Sequence, residues 1–279
     1  MLMKKYEMIP TEENLIETLY NDTISRNKDI VYFYDILQAQ ESASAIAIDG
    51  RWGSGKTFFV KQTKMVINAL NSLSTMDKET KAKATIKLPF PKNDGEKKNC
   101  SVAVYYDAWE NDNDTEPVLS LIYEITKQLS IDFSLSDISI VKMAGAIIEA
   151  ISGHNVNGIK DVLTSEDPFA KFKEEKDTAQ KIKDFLACLL AERGNRLVIF
   201  IDELDRCKPT FAVHLLEQIK HYIFDDRITF VFSVNLEQLQ HTIKNYYGVG
   251  FDSCRYLDRF LIWKNFIVKL GLSLDIMLI

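Results

Sequence analysis

The stretch Ala45-Ile-Ala-Ile-Asp49-Gly50-Arg-Trp52-Gly53-Ser54-Gly55-Lys56-Thr57-Phe58-Phe-Val60 decides the fold. Its first five residues are a short apolar run ending at a glycine, the pattern of a buried parallel strand. Residues Thr57–Leu70 continue with helical spacing of apolar positions. Between strand and helix, Gly50–Thr57 satisfies GxxxxGK[ST] in full. The chemistry of that spacing is specific. A triphosphate needs several backbone N–H groups converging on one concavity, and side chains at every loop position would block them. Gly50, Gly53 and Gly55 free the backbone for the turn, and the following helix offers its positive N-terminal end to a phosphate. Lys56 is expected to reach the β- and γ-phosphates and the Thr57 hydroxyl to ligate Mg²⁺. We assign Gly50, Trp52, Gly53, Ser54, Gly55, Lys56, Thr57 and Phe58 to binding an ATP-like nucleotide. A chance glycine turn is the alternative, but the strand before and the helix after supply the context the motif requires.

A second stretch lies downstream. Arg196-Leu-Val-Ile-Phe-Ile-Asp202-Glu203 is an apolar strand closing on two adjacent carboxylates. In P-loop proteins a carboxylate at such a strand end holds Mg²⁺, so Asp202 takes the metal role beside Thr57. Glu203 is placed to polarise the attacking water as general base. Asp205 and Arg206 follow in the same turn, and a carboxylate–guanidinium brace for it and a direct catalytic role are equal readings. Asn235, after Ile228–Val234, is either a sensor of the γ-phosphate or a strand-end cap.

These motifs sit in a chain where strands alternate with helices. Glu12–Gln40 reads as helix, Ser101–Ala108 as the second strand, Pro117–Leu129 as helix, and Phe169–Arg193 as a long amphipathic helix stopped by Gly194. Thr210–Phe224 and Leu236–Tyr247 are further helices. The lysine-rich Asp77–Lys98 reads as an exposed connection, and residues 130–168 as a variable helical insertion. The expected fold is a three-layer α/β domain with a mainly parallel sheet and helices on both faces. Residues 1–41 form a helical segment packed on it, and residues 42–279 the nucleotide-binding domain.

The 279 residues carry a net charge of −6, which argues against a broad basic face for nucleic acid. Cys100, Cys188, Cys207 and Cys254 are far apart and fit no zinc spacing; free thiols in a reducing cytoplasm are the plain reading. No run reaches the ~20 apolar residues of a membrane span. Met143–Ile151 and Phe266–Ile279 come nearest, and both are interrupted by charge.

The tail of the acidic motif, Asp202-Glu-Leu-Asp205-Arg206-Cys207-Lys-Pro209, resembles the D-[DE]-L-D-R-C of the KAP P-loop NTPases. Trp52-Gly53 within the phosphate loop and Tyr106-Asp-Ala-Trp109 after the second strand are similar to the same family. Leu216–Lys220, Gln238–Gly248 and Tyr256-Leu-Asp-Arg259 follow in its order. The resemblance covers roughly residues 15–261. It implies an additional-strand NTPase sheet, with the first strand beside the fourth and the Asp202 strand between the fourth and the second. It also implies ATP hydrolysis, and association with membranes, signalling or phage exclusion. Asn235 stands where the family more often has Asp. Phe260–Ile279 leaves room for a fifth strand near Phe266–Leu270, and a C-terminal lid is expected to be missing or truncated.

The expectation from sequence is therefore a Mg²⁺-dependent ATPase acting as switch or motor, working with a protein partner or a second copy. It would be cytoplasmic, with peripheral membrane association left open. A nucleotide-gated interaction module and a small-molecule phosphotransferase are the alternatives. Arg259 is the candidate to neutralise γ-phosphate charge from the same chain or a neighbour, with Arg255 second; a helix arginine paired with Asp258 is the other reading. Trp109 is expected to be structural, pinning the Asp112–Glu116 loop, with about 3 kcal/mol or more at stake if the ring is buried; an exposed stacking or partner-binding surface is the alternative.

Overall fold

The computed structural model describes residues 9–90, 101–129, 146–147, 170–223, 225–260, 267–269 and 275–277. Strands β1 (Ser44–Asp49), β2 (Ser101–Asp107), β3 (Arg196–Asp202), β4 (Ile228–Val234), β5 (Ile267–Lys269) and β6 (Asp275–Met277) form one sheet in the order β2-β3-β4-β1-β5-β6. The first five run parallel and β6 is antiparallel to β5. The first strand lies beside the fourth and the Asp202 strand between the fourth and second, as the resemblance implies. A fifth strand does fall within Phe266–Leu270.

Near-continuous apolar strands let each strand feed a core on both faces of the sheet. Leu197, Ile199 and Ile201 of β3 face one core with Phe230 and Phe232 of β4. Val198 and Phe200 face the other with Ile46, Ile48 and Val231. On the first face pack α5 (Pro117–Gln128), α6 (Ala170–Arg193), α7 (Pro209–Gln218), α8 (Leu236–Tyr247) and α9 (Ser253–Leu257). The second face carries α1 (Glu12–Asn21), α2 (Asn27–Gln38), α3 (Lys56–Leu70) and α4 (Lys78–Thr85). The three-layer α/β expectation is met.

Two expectations change. The continuous helix over Glu12–Gln40 is broken into α1 and α2, because Asp22 (φ 50°) and Ser25 (φ 55°) adopt the left-handed region. Short polar side chains tolerate that conformation by bonding locally, and Asp22 Oδ1 accepts from the Asn27 N–H at 3.1 Å. The connection Asp77–Lys98 contains α4, which Asp77 caps by accepting from the Thr80 N–H at 2.9 Å; Ala84 is buried against α3 and α1. Apart from residues 146–147, the insertion expected at 130–168 lies outside the described residues. No helix among the described residues is long and apolar enough to cross a membrane.

Candidate nucleotide site

The loop and the acidic turn meet at the carboxyl ends of β1, β3 and β4, where open parallel sheets bind ligands. The start of the loop is tied to β4 by the Gly50 N–H, which donates to the Val234 carbonyl at 3.2 Å. A Cβ at Gly50 would lie 2.8 Å from Ser54 Oγ, so a side chain there would displace that hydroxyl. Gly55 (φ 83°) is the N-cap of α3, directing the helix's first amides outward. Lys56 is buried, and its Nζ donates to the Gly50 carbonyl at 2.6 Å and the Arg51 carbonyl at 3.3 Å. The ammonium therefore sits within the loop's curl.

Asp202 is fully buried. Its Oδ2 accepts from the Tyr105 hydroxyl at 3.0 Å and its Oδ1 from the Glu203 N–H at 3.1 Å. Burial pushes its carboxyl above the usual range, while the nearby Thr57, Ser233 and Tyr105 hydroxyls counteract and Asp107 adds to the rise. The same burial, with the Asp202 and Asp107 charges, drives the Tyr105 phenol strongly upward, so it remains a donor. Ser233 Oγ and Ser54 Oγ are buried with no well-formed hydrogen bond. A hydroxyl without a well-formed partner on either side, Ser54 in the loop and Ser233 near Asp202, suits a polar, charged ligand. Among the described residues no group of three or more His, Cys, Asp or Glu side chains makes a metal cage. Mg²⁺ is commonly bound through one or two carboxylates plus substrate phosphates. The donors present, Thr57 and Asp202, are the right type for it.

Glu203 is a non-glycine residue at φ 62°, a strained setting that recurs at functional sites. Its N–H also donates to the Ser233 carbonyl at 3.3 Å, holding the turn against β4. The carboxylate is not free. Arg206 Nε meets Glu203 Oε2 at 2.5 Å. Burial, then Asp202, raise the Glu203 carboxyl, with Arg206 and Lys56 opposing and Asp205 adding to the rise. The Arg206 guanidinium lies between two indoles, 5.4 Å from the Trp52 ring and 5.5 Å from the Trp109 ring. Trp52 Nε1 donates to Asp205 Oδ2 at 2.7 Å. Loop, acidic turn and the segment after β2 are thus one bonded assembly.

The structure brings Gly50, Gly53, Ser54, Gly55, Lys56, Thr57, Asp202 and Glu203 to one sheet edge. Trp52 belongs to that edge, but its ring faces the acidic turn. The Phe58 ring packs against the core on the α2 face, which leaves only its backbone for any contact with a phosphate. Asn235 caps α8, its Oδ1 accepting from the Gln238 N–H at 3.3 Å.

Arg259 is not brought to the loop. It borders an apolar cavity of about 200 Å³ with Ala45, Phe230, Phe232 and Phe260. The cavity lining runs along the strands from Ala45 to Phe232, which pairs with Ala47 and lies two residues before the end of β4. Nor is Trp109 buried: it is 53% exposed. The loop after β2 is held by polar bonds instead. Asp107 Oδ1 accepts from the Glu110 N–H at 3.1 Å, and Asp112 Oδ2 accepts from the Lys208 N–H at 3.2 Å. With the loop fixed that way, the indole is left to lie on Arg206.

Sequence reasoning missed Tyr105 and Arg26. Tyr105 sits in register with Phe200, two residues before the strand end, and only that register shows that its hydroxyl reaches Asp202. Arg26 Nη2 donates to the Ser54 carbonyl at 3.1 Å and Nη1 to the Gly55 carbonyl at 3.5 Å. No short motif announces it.

Against known proteins, the chain is 42% identical over 53 residues to an uncharacterized protein of Methanocaldococcus jannaschii, covering 17% of this chain and 27% of that one. The chain thus spans about a quarter of that curated relative's length. The profile of the KAP family P-loop domain matches residues 26–269, a range that takes in Arg26, the phosphate loop, the acidic turn and β5. With most of its length inside that match, the chain belongs to the KAP family of P-loop domains.

Proposed function

We propose that this chain binds ATP with Mg²⁺ and hydrolyses it, using the cycle as a conformational switch or motor on a protein partner or a second copy. The observation that carries this reading is the buried Asp202 and the half-buried Glu203 after it, beside a glycine loop whose lysine is also buried. Loop amides and the N-terminal end of α3 would bind the phosphate oxygens, and Lys56 would add its charge to them. Thr57 and Asp202 would hold Mg²⁺, which when bound neutralises charge on those oxygens. Glu203 would accept the proton of the attacking water as it adds to the γ-phosphorus and ADP leaves. Burial raises the basicity of that carboxylate, which suits a group that must take a proton.

The test is steady-state hydrolysis of ATP with and without Mg²⁺, comparing the parent with Glu203→Gln. The variant is expected to keep its nucleotide affinity and to turn over about a hundredfold more slowly, or worse, for loss of a general base. Equal rates would remove Glu203 from the chemistry.

A second reading rests on the ion pair between Arg206 and Glu203 at 2.5 Å. A base engaged that closely is restrained, and a module that is gated by bound nucleotide with negligible turnover would be built the same way. A parent protein that binds Mg²⁺-ATP tightly but shows no measurable hydrolysis would favour it.

A further inference from the structure

In a trans peptide the N–H and C=O point in opposite directions. A loop that turns its amides toward a phosphate must therefore turn the matching carbonyls away, and those carbonyls need partners of their own. The Ser54 carbonyl shares its peptide plane with the Gly55 N–H, and the Gly55 carbonyl shares its plane with the Lys56 N–H. Both of these carbonyls accept from one guanidinium, that of Arg26, at 3.1 and 3.5 Å.

Resting on the reading of Gly50–Thr57 as a phosphate site, we propose that Arg26 is a positioning residue for nucleotide binding. Its guanidinium clamps two successive peptide planes of the loop, so that the Gly55 and Lys56 amides face the phosphates before the ligand arrives.

Several features fit a residue aimed at the loop. Arg26 begins α2 directly after the corner in which Asp22 and Ser25 are left-handed. Asn27 Nδ2 donates to the Leu19 carbonyl at 2.8 Å and fixes that corner to α1. The pair α1–α2 is itself bound to α3. Gln62 Nε2 donates to Thr18 Oγ1 at 3.0 Å and to the Leu15 carbonyl at 3.3 Å, and the rings of Phe33 and Phe59 meet at 5.7 Å. The base of Arg26 is thus held rigidly against the helix that the loop introduces. A Cβ added at Gly55 would stand 3.3 Å from Arg26 Nη1, so glycine there serves the close approach of the clamp as well as the positive φ. A planar fork can serve two carbonyls at once, which a lysine ammonium does less well.

The alternative is that Arg26 is only a strut between the helices and the core. Calorimetric titration of the full chain with Mg²⁺-ADP, beside thermal melts without nucleotide, separates the two. Arg26→Ala is expected to lose roughly ten- to a hundredfold in affinity, the range for lost bonds to a charged donor, with Arg26→Lys falling between. Gln62→Ala, which loosens α1 from α3 without touching the loop, is expected to lower the melting temperature and keep the affinity. A folded Arg26→Ala that binds like the parent and melts lower, as Gln62→Ala does, overturns the clamp and leaves the strut. If Arg26→Ala does not fold, a folded Arg26→Lys with parental affinity overturns it equally. Absence of binding by the parent would instead sink the phosphate-site reading on which the clamp depends.

Discussion

The phosphate loop Gly50–Thr57 holds its shape through backbone, while the acidic turn Asp202–Arg206 opposite it holds its shape through side chains. In the loop, glycines at φ 76° and 83° set the path and carbonyls accept from Lys56 and Arg26. In the turn, Asp202 is fixed by Tyr105, Glu203 by Arg206, and Arg206 by two indoles. A wall made of backbone offers many weak donors in fixed directions and changes little when a side chain moves. A wall made of paired charges can be rearranged by breaking one ion pair. That difference suits a site whose one side grips constantly while the other side responds to what is bound.

Substitutions can break this comparison. The largest effect is expected at Lys56→Ala, the loop side chain whose charge would face the phosphates directly. Removing its charge from two phosphates should weaken Mg²⁺-ATP by about a hundredfold or more, read by titration calorimetry. Near-parental affinity would mean that the loop grips without it. Asp202→Asn should act through the metal, raising the Mg²⁺ concentration for half-maximal turnover by about ten- to a hundredfold. An unchanged Mg²⁺ midpoint would remove Asp202 from the metal site. Arg206→Ala sharpens the contrast, because it frees Glu203 and touches the loop only at the Trp52 ring. Turnover is expected to fall about tenfold as Glu203 loses its orientation, with nucleotide affinity kept. A rise in turnover would show instead that the ion pair restrains the base.

The smallest effect is expected at Trp109→Ala. With the ring 53% exposed, the contribution at risk is the cation–π contact with Arg206, about 1 kcal/mol or less. Denaturant unfolding measures it. A loss near 3 kcal/mol would return the indole to the core.

What was legible in the sequence follows the same division. The loop and its flanking strand and helix were readable because glycine spacing and apolar runs are local patterns that map directly onto backbone, whereas the strand order came from the resemblance to the KAP P-loop NTPases. The carboxylates were readable as well, since they close an apolar strand. Their partners were not. Tyr105 reaches Asp202 only because β2 and β3 pair in one register, and Arg26 reaches the loop only after the chain turns a left-handed corner at Asp22 and Ser25. Trp109 was misread for a related reason. Large aromatics beside a sheet edge are usually buried, but the Asp107 and Asp112 hydrogen bonds already secured that loop. Arg259 follows α9 and, within its own chain, borders the apolar cavity with Ala45 and Phe230.

The tie between Gly50 and Val234 described above also bears on how the protein is made. The Leu236 N–H donates to Asp49 Oδ1 at 2.9 Å across 187 residues of chain, and the Gly50 N–H bonds the Val234 carbonyl beside it. Residues 44–57 therefore leave the ribosome long before the strand that closes them exists. At roughly 5–20 residues per second, about ten to forty seconds separate the two segments. For that interval β1 is an unpaired apolar edge with a glycine-rich loop behind it. Nucleotide in the cell is then no help to the nascent domain until β4 has docked. A pulse-labelled chain arrested before residue 228 is expected to be protease-sensitive around Arg51 whether or not Mg²⁺-ATP is present.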